Sequence, residues 1–298
     1  MKIVVGTGTC GIAAGAQTIV RALEDAVEKG ALSASIHQTG CIGMCHAEPI
    51  VDVYVDGKQK RYTHFNASDV EGLCNDFQAV SHKEISPSDQ AILSAQHRIV
   101  MRHYGRIDPE SIEDYISLGG YETIKKVLNE RTPISVIGTI KRSGLRGRGG
   151  AGFPTWFKWK AALDNVSKVK YIVCNADEGD PGAFMDRSVL EGDPHSLIEG
   201  MMIAGYAIGA SQGIVYVRAE YPLAIKRLEK AIEQARAHNF LGRDVFGLEE
   251  HNFDIRIKAG AGAFVCGEET ALIASLEGER GQTTLSCREG LYGVSYKY

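Results

Sequence analysis

The segment GLRGRGGAG, from Gly144 to Gly152, combines five glycines with two arginines in nine residues. Glycine lets a ligand approach the backbone closely, and consecutive N–H groups that point into one concavity bind phosphate. Residues 147–152 match the G-x-G-x-x-G pattern of dinucleotide-binding loops. However, Pro154 follows where the helix of such a fold would already run, and no clear strand precedes the loop. The segment therefore predicts a phosphate-binding loop of another type, or a solvated glycine loop without a ligand.

Two further segments that carry carboxylates follow strand-like runs. CNADEGDPG covers residues 174–182, and GAGAFVCGEET covers residues 260–270. Because ligands of α/β proteins bind at the carboxyl ends of strands, both segments are candidates for a shared site. Crowded carboxylates repel one another unless donors such as sugar hydroxyls satisfy them. The alternative is that these carboxylates cap helices on solvated turns.

Three of the seven cysteines, Cys10, Cys41 and Cys45, lie in the first 45 residues beside glycines. The odd count, and an N-terminus without a signal peptide, argue against a disulfide framework. Each cysteine or cysteine pair follows a predicted strand, so three thiolates are expected to converge on a metal or to act in redox chemistry. Reduced thiols without a metal, and a Cys41–Cys45 redox dithiol, are the alternatives. Cys174 and Cys266 are expected to fill the core.

The composition is that of an ordinary globular protein. Of the 298 residues, 44% are hydrophobic and 23% are charged, and the net charge is −4. This balance does not indicate a general nucleic-acid surface, and no apolar run is long enough to span a bilayer. A cytoplasmic protein of two domains, or of one large domain, is expected.

Strand and helix patterns alternate along the chain, which predicts an α/β fold. Residues 1–80 have the order β-α-β-β-α, with an apolar helical stripe from Ile12 to Val27 and a hairpin turn at Asp56-Gly57. Residues 81–107 are predicted to be a linker. The later predicted helices begin at Asp108-Pro109 and cover 121–128, 195–208, 222–236 and 268–276, and the predicted strands cover 169–174, 214–218 and 253–258.

Three long motifs resemble, in this order and at these separations, the NADH-binding flavoprotein subunit of respiratory complex I. They equally resemble its relatives in NAD(P)-linked and electron-bifurcating hydrogenases and in formate dehydrogenases. The motifs are GLRGRGGAGFP, CNADEGDPGAF and GAGAFVCGEETAL, and the resemblance extends from about Asp108 to Gly281. It implies that residues 108–281 form the α/β FMN- and NADH-binding domain of that subunit.

The resemblance implies an NADH:acceptor oxidoreductase, that is, an NAD(P)H-oxidising or NAD(P)-reducing flavoprotein subunit. Hydride would pass between nicotinamide and FMN, and single electrons would continue to iron–sulfur clusters of partner subunits. The implied partners are a small thioredoxin-like ferredoxin subunit and a large iron–sulfur, hydrogenase or complex I-type subunit, with no nucleic acid and no membrane insertion. No catalytic acid or base is implied, because the cofactors carry the reaction. The alternative is an inactive truncated fragment or interaction module of such a complex.

The resemblance also implies the residues of the site. The expected FMN-binding residues are Gly147, Gly149, Gly150, Lys158, Asn175, Asp177, Gly267 and Glu268. The residues expected to face NAD(H) or NADP(H) are Phe153, Glu178, Asp180 and Glu269. A carboxylate near the adenosine ribose repels the 2′-phosphate of NADP, so Asp180 slightly favours NAD. Trp156 and Phe157 replace the small or aliphatic residues of the family and are expected to fill or reshape the pocket.

The segment TGCIGMCHAEPIVDVYVDG resembles part of the thioredoxin-like 2Fe–2S ferredoxin domain that hydrogenase flavoprotein subunits carry at their N-terminus. This implies such a domain at residues 1–80, with cluster ligands in the pattern C-x4-C and C-x3-C. Three of the ligand positions are matched, by Cys10, Cys41 and Cys45, and Val5 occupies the remaining one. A 2Fe–2S cluster needs four ligands. The fourth is therefore expected to be a substitute such as His46 or an exogenous ligand, or the cluster is absent.

The family continues beyond the position of Gly281 with further cofactor-contacting segments and a 4Fe–4S cluster held by a C-x2-C-x2-C run. Residues 282–298 read QTTLSCREGLYGVSYKY and contain none of these motifs. The resemblance therefore implies an atypical tail at 282–298, an FMN- and NADH-binding domain that is incomplete on its C-terminal side, and a missing 4Fe–4S site. A truncated or frameshifted product, a split subunit and an independent short form all fit this pattern.

Overall fold

The computed structural model describes residues 1–75, 77–260 and 262–283, and the backbone of residues 294–296. Helices alternate with the strands of two sheets in this part of the chain, so the predicted α/β class is confirmed. The chain divides into two compact units. The N-terminal unit holds Met1–Asp114 and Glu191–Asp193, and the C-terminal unit holds Tyr115–Leu190 and the described residues from Pro194 onward. None of the described helices is long and apolar enough to cross a bilayer.

The sheet of the N-terminal unit combines one parallel and two antiparallel strand pairs. Its strands are β1 at Lys2–Gly6, β2 at Ser35–Thr39, β3 at Val51–Val55 and β4 at Lys58–Tyr62, in the order β2-β1-β3-β4. β1 and β2 run parallel, whereas β3 runs antiparallel to β1 and to β4. The hairpin predicted at Asp56-Gly57 is confirmed, and both turn residues have a positive φ.

The connection between β1 and β2 contains two helices where the sequence predicts one. These are α1 at Thr9–Ala13 and α2 at Ala16–Glu28. Gly15 separates them with a φ of +105°, a conformation that other residues rarely adopt. Ile19 and Leu23 of α2 lie in the core of this unit, as the predicted apolar stripe requires.

Two further helices follow β4 in this unit. The predicted short helix is confirmed as α3 at Asp69–Asn75, and α4 at Pro87–Ser94 was not predicted. The start of α4 is a regular N-cap, because the Ser86 hydroxyl accepts a hydrogen bond from Asp89 N–H at 3.1 Å and proline takes the first helical position. The region predicted to be a linker, 81–107, therefore contains a helix of its own.

The helix predicted to begin at Asp108-Pro109 begins at Ile112 instead, as α5 at Ile112–Ser117. Asp108 explains the shift, because its Oδ1 accepts a hydrogen bond from Glu110 N–H at 2.8 Å. A turn closed by an aspartate side chain competes with the first turn of a helix.

The sheet of the C-terminal unit is parallel in all its described pairs. Its strands are β5 at Tyr171–Ala176, β6 at Gln212–Arg218, β7 at Asp254–Gly260 and β8 at Val294–Tyr296, in the order β7-β6-β5-β8. The predictions for β5, β6 and β7 are confirmed to within two residues at each end. β8 was not predicted and falls in the predicted tail, whose residues 284–293 and 297–298 lie outside the described residues. The carboxyl ends of β5, β6 and β7 thus share one edge.

Helices connect these strands. They are α6 at Glu122–Glu130, α7 at Pro133–Ser143, α8 at Thr155–Asp164, α9 at Met185–Gly192, α10 at Pro194–Ile208, α11 at Pro222–Ala237 and α12 at Glu269–Leu276. α6 and α10 to α12 confirm predicted helices, whereas α7, α8 and α9 were not predicted. α10 is buried along most of its length, and its Glu199 carboxylate accepts hydrogen bonds from Tyr121 N–H and Ile124 N–H at the start of α6. Burial of helix faces in this way is what a parallel sheet requires.

Candidate functional site

The glycine loop is a narrow hairpin whose base is closed by backbone hydrogen bonds. Gly147 N–H donates to the Phe153 carbonyl at 2.9 Å, and Thr155 N–H donates to the Leu145 carbonyl at 3.1 Å. α8 begins directly after it, with Pro154 as its N-cap. A helix therefore does follow the loop, but it begins after the proline and not within the glycine segment as in the dinucleotide-binding pattern.

The tip of this loop presents backbone N–H groups to open space. Gly150 and Gly152 have φ angles of +98° and +60°, and a Cβ at either position would meet no atom within 4 Å. The N–H groups of Gly149, Gly150 and Ala151 donate to no other residue that the structure describes. Backbone N–H groups exposed on a turn with left-handed residues attract anions, so this geometry suits a phosphate group.

An ion pair joins the helix after the glycine loop to the helix that begins in the second carboxylate segment. Lys158 Nζ in α8 donates to Glu269 Oε2 in α12 at 2.6 Å. Both side chains are about one-third exposed, at 31% for Lys158 and 37% for Glu269. The pair is therefore open to a ligand on one side.

The two carboxylate segments also contact each other. Asn175, at the end of β5, is buried and its Nδ2 donates to the Gly267 carbonyl at 2.9 Å. A Cβ at Gly179 would lie 2.7 Å from the Phe264 ring, so only glycine permits this approach. With the Lys158–Glu269 pair, these contacts bring the three predicted segments together at the carboxyl edge of the sheet.

Two of the predicted ligand carboxylates cap helices. Both oxygens of Glu178 accept hydrogen bonds from the start of α9, from Asp186 N–H at 3.1 Å and Arg187 N–H at 3.2 Å. Glu268 accepts from Thr270 N–H at 3.0 Å at the start of α12. Burial raises the pKa of Glu268, but these hydrogen bonds outweigh it and hold the pKa below its usual value. The capping role left open by the sequence is therefore realised for these two side chains.

Arg218 is a site residue that sequence reasoning missed. It ends β6, and its Nε lies 3.8 Å from Oδ1 of the buried Asp177. Its Nη1 donates to the Glu178 carbonyl at 2.7 Å, and the Tyr221 hydroxyl donates to the same oxygen at 3.2 Å. The available signal was position: an arginine at the carboxyl end of the strand next to β5 must lie beside the carboxylates that follow β5.

Aromatic side chains surround the entrance to the loop. Phe153 and Phe157 are exposed and stand edge to face, with ring centroids 5.7 Å apart. Lys141 Nζ lies 4.4 Å from the Trp156 ring centroid, a cation–π contact that fixes the indole. Asp180 is exposed, and its carbonyl accepts a hydrogen bond from Ala183 N–H.

The three N-terminal cysteines form a compact group in the N-terminal unit. The sulfur atoms of Cys10, Cys41 and Cys45 all lie within 4.8 Å of one another, and the last two are 3.7 Å apart. Gly43, with a φ of +91°, turns the loop so that its N–H donates to Cys41 Sγ. Burial raises the pKa of the Cys41 thiol far above its usual value, and the neighbouring Cys45 and Glu48 act in the same direction.

The substitute ligand suggested by the sequence is not part of this group. The His46 side chain is 66% exposed, and its Nε2 faces Asp89 Oδ1 at 3.6 Å. Cys74 in α3 packs against the hydrophobic core, and Val5 is fully buried there. Cys174 and Cys266 are buried in the C-terminal unit, as expected for core residues.

Glu48 is the buried carboxylate beside the cysteines. Its side chain is 6% exposed, and its Oε2 accepts a hydrogen bond from Ile50 N–H at 2.9 Å. Its Oε1 has no hydrogen-bond partner among the described residues. Burial raises the pKa of Glu48 to about 7, against the lowering effects of the Ile50 hydrogen bond and of the adjacent Cys41 thiol.

The sequence profile of a family described as the Nuo51 FMN-binding domain matches residues 140–289. This range includes the glycine loop, both carboxylate segments and Arg218, and it covers half of the chain. The chain belongs to the Nuo51 FMN-binding domain family.

Relatives of this Nuo51-family chain include two curated proteins. It is 65% identical over 187 residues to the NADP-reducing hydrogenase subunit HndC of Solidesulfovibrio fructosivorans, an alignment that covers 63% of this chain and 38% of the relative. It is 47% identical over 187 residues to an NADH-quinone oxidoreductase subunit of Rhizobium meliloti (strain 1021), with 63% and 44% covered. The chain thus spans less than half the length of these relatives.

A solved structure supports the fold of the Nuo51-family chain over nearly its whole length. The air-oxidized NAD+-reducing [NiFe]-hydrogenase has a chain that matches with a TM-score of 0.50 and 28% identity. The match covers 96% of this chain and 47% of the hydrogenase chain.

Proposed function

We propose that this chain is the flavin- and nicotinamide-binding part of an NAD(P)H-linked oxidoreductase subunit. The observation that carries the proposal is the convergence of three segments at the carboxyl edge of the parallel sheet. The Lys158–Glu269 ion pair, the Asn175–Gly267 hydrogen bond and the close approach of Gly179 to Phe264 produce this convergence. Ligands of α/β sheets bind at such an edge.

The residues around the glycine loop fit the chemistry of FMN. The exposed N–H groups at the loop tip and the Lys158 ammonium would bind the phosphate. Hydrogen bonds with the ribityl hydroxyls or with the flavin ring would be made by Asn175, Asp177 and the backbone of Gly267. Glu268 would act through its capping of α12, which fixes the direction of that helix.

The exposed groups at the entrance fit a dinucleotide. Phe153 offers an exposed ring face, and Asp180 and Glu269 offer carboxylates to ribose hydroxyls. Glu178 would contribute indirectly, because it anchors α9 and Arg218. A carboxylate beside the adenosine ribose repels a 2′-phosphate, so Asp180 would favour NAD over NADP.

When bound, FMN would supply the exchange of a hydride with the nicotinamide and the release of single electrons. The side chains of this protein would hold the two ring systems face to face and exclude water, and none of them needs to transfer a proton. The electrons would leave for iron–sulfur clusters of partner subunits. We infer these partners to be a small thioredoxin-like ferredoxin subunit and a large iron–sulfur, hydrogenase or complex I-type subunit in the cytoplasm.

We further infer that the N-terminal unit is a thioredoxin-like, ferredoxin-type domain at residues 1–80, joined through 81–107 to an FMN- and NADH-binding domain at 108–281. Its support is the strand order β2-β1-β3-β4 with one parallel pair, and the cysteine group at one end of the sheet.

FMN binding tests the proposal directly. Anaerobic titration of FMN with the purified chain should quench flavin fluorescence with one site per chain. Gly150→Ala should weaken this binding, because alanine is strained at a φ of +98° and would deform the loop. Gly209→Ala is the matched control, since Gly209 has a φ of +75° and equally open surroundings but lies at the end of α10. Absence of binding, or equal losses in the two variants, would contradict the proposal.

A further inference from the structure

We propose that the segment 191–193 holds the three N-terminal cysteines in the arrangement that binds a metal, and that Glu191 is the positioning residue for Cys10. This segment lies far from the cysteines in the sequence, where α9 ends and α10 begins, yet it belongs to the N-terminal unit. The inference rests on the proposed ferredoxin-type domain at residues 1–80, and it does not depend on flavin binding.

The Glu191 carboxylate caps the helix that carries Cys10. The N-cap of α1 is Gly8, which has no side chain to accept a hydrogen bond. The first N–H group of the helix, on Thr9, donates to Glu191 Oε2 at 2.8 Å, and the Thr9 hydroxyl donates to Glu191 Oε1. Glu191 is buried. Because hydrogen bonds to a charged acceptor are short and strong, this pair of bonds fixes the turn immediately before Cys10.

The same turn lies against the second cysteine. A Cβ at Gly8 would lie 2.9 Å from Cys41 Cβ and 3.0 Å from Cys41 N, so only glycine permits the approach. The sulfur atoms of Cys10 and Cys41 lie within 4.8 Å of each other. A displacement of the turn would change this distance. The bonds between Glu191 and Thr9 therefore control the spacing of these two thiols.

Gly192 lies against the loop that carries Cys41. A Cβ at Gly40 would lie 2.5 Å from Gly192 Cα, so the two backbones are in contact immediately before Cys41. A Cβ at Gly192 would in turn lie 2.7 Å from the Tyr104 ring. Tyr104 packs with Ile42 of the same loop. Gly192 thus occupies a gap between the cysteine loop and a buried ring, where a larger residue would displace one of them.

Asp193 attaches the other end of the segment to the N-terminal unit. Its Oδ2 forms a hydrogen bond of 2.7 Å with His103 Nδ1, and both side chains are buried. Two residues after His103, Gly105 N–H donates to Thr39 Oγ1 at 2.9 Å. Thr39 is two residues before Cys41. The three consecutive residues of the segment therefore contact the turn before the first thiol, the loop of the second, and the chain that packs on that loop.

Glu191 acts through Thr9 and is not itself a metal ligand. Among the described residues, the three sulfur atoms that lie within 4.8 Å of one another are joined by no carboxylate oxygen. Both Glu191 oxygens accept hydrogen bonds from Thr9. Residues that orient metal ligands without touching the metal change metal affinity by about 10–100-fold. We therefore expect Glu191 to affect metal affinity and the number of bound thiolates.

Cobalt titration of the full chain tests the proposal. Reduced protein stripped of metal under anaerobic conditions should bind one Co²⁺, with thiolate charge-transfer absorption whose intensity rises with the number of bound thiolates. Glu191→Ala removes both bonds to Thr9. We expect it to bind Co²⁺ about tenfold more weakly and to lose about one-third of the charge-transfer intensity, because two of the three thiolates remain bound.

Two controls separate position from charge and from stability. Glu191→Gln keeps an oxygen that accepts from Thr9 N–H, so it should retain the charge-transfer intensity and most of the affinity. Asp69→Ala removes a carboxylate that accepts a hydrogen bond from Asn66 N–H at 2.8 Å at the start of α3, in the same unit. It should change neither the affinity nor the intensity.

Three results would overturn the proposal. The first is unchanged Co²⁺ affinity and absorption in Glu191→Ala. The second is an equal loss in Glu191→Gln, which would assign the effect to charge, and the third is an equal loss in Asp69→Ala, which would assign it to stability. An unmodified chain that binds no Co²⁺ would contradict the ferredoxin-type domain and the positioning role together. A chain that binds Co²⁺ but no FMN would contradict only the proposed flavin site.

A second variant decides if Glu191→Ala does not fold. Thr9→Val removes only the hydroxyl bond to Glu191 and keeps the N–H bond. We expect it to lower Co²⁺ affinity by about threefold or more, the effect of one hydrogen bond. Unchanged affinity in Thr9→Val would overturn the proposal.

Discussion

The Lys158 ammonium and the Glu269 carboxylate lie 2.6 Å apart, on helices that begin after different glycine-rich segments. Lys158 belongs to α8, which follows the glycine loop, and Glu269 begins α12 within the second carboxylate segment. The family resemblance assigns the lysine to FMN and the glutamate to the dinucleotide. In the proposed site, this contact would lie between the flavin part and the dinucleotide part.

Removal of the Lys158 charge should weaken FMN binding. A hydrogen bond to a charged group contributes about 1.5–3 kcal/mol, so Lys158→Met should lower FMN affinity by about tenfold or more in a fluorescence titration. Lys160→Met is the control, because Lys160 lies on the same helix and pairs with Asp164 instead. Equal affinity of the two variants would show that the lysine does not contact the phosphate.

Loss of the Glu178 carboxylate should destabilise the fold, although Glu178 lies in a motif whose residues are expected to bind a ligand. Glu178→Ala removes the two side-chain hydrogen bonds that cap the start of α9, and it should lower the free energy of unfolding by about 1–3 kcal/mol. Asp180→Ala, two residues away on an exposed position, should leave that free energy within about 0.5 kcal/mol of the unmodified protein. Urea denaturation measures both values. A stable Glu178→Ala variant would mean that the carboxylate is free for a ligand.

Substitution of Arg218 should lower the free energy of unfolding more than substitution of an arginine in an exposed ion pair. Asp177 is only 2% exposed, but Arg218 is partly exposed and 3.8 Å away. Arg218→Met should therefore lower the free energy of unfolding by about 2–3 kcal/mol, less than the roughly 3–5 kcal/mol lost when a fully buried pair is broken. Arg236→Met breaks the exposed pair with Asp254 and should cost about 0–1 kcal/mol. Urea denaturation of both variants compares them, and equal losses would contradict a structural role for Arg218 at the site.

The elements predicted correctly from the sequence are those with local signals. β5 and β6 are apolar runs, and β7 alternates apolar and charged residues. α10 is a long, mostly apolar segment that begins at a proline, α11 has one apolar face, and α12 follows a glycine-rich segment. α9 was missed because the Glu178 side chain, seven residues before its first residue, accepts the hydrogen bonds that cap its start, and no local pattern reveals such a cap. α8 was missed because its aromatic and lysine residues give no apolar stripe.

The parts of the candidate site that could be predicted are likewise those with a local signal in the sequence. Its three motifs are continuous in the sequence and could be recognised there. Arg218 contacts Glu178 from 40 residues away and belongs to no such motif. His46 is a metal ligand by residue type, yet its exposed ring faces Asp89. The direction of a side chain is not visible in a single sequence.

The most direct test of the central claim is the anaerobic titration of the FMN-loaded chain with NADH. The account predicts that NADH bleaches the visible absorbance of the bound flavin at an equimolar end point. Dithionite serves as the control that the bound flavin is reducible. A bound flavin that dithionite bleaches but NADH leaves oxidised would contradict the claim that this chain brings the nicotinamide to the flavin.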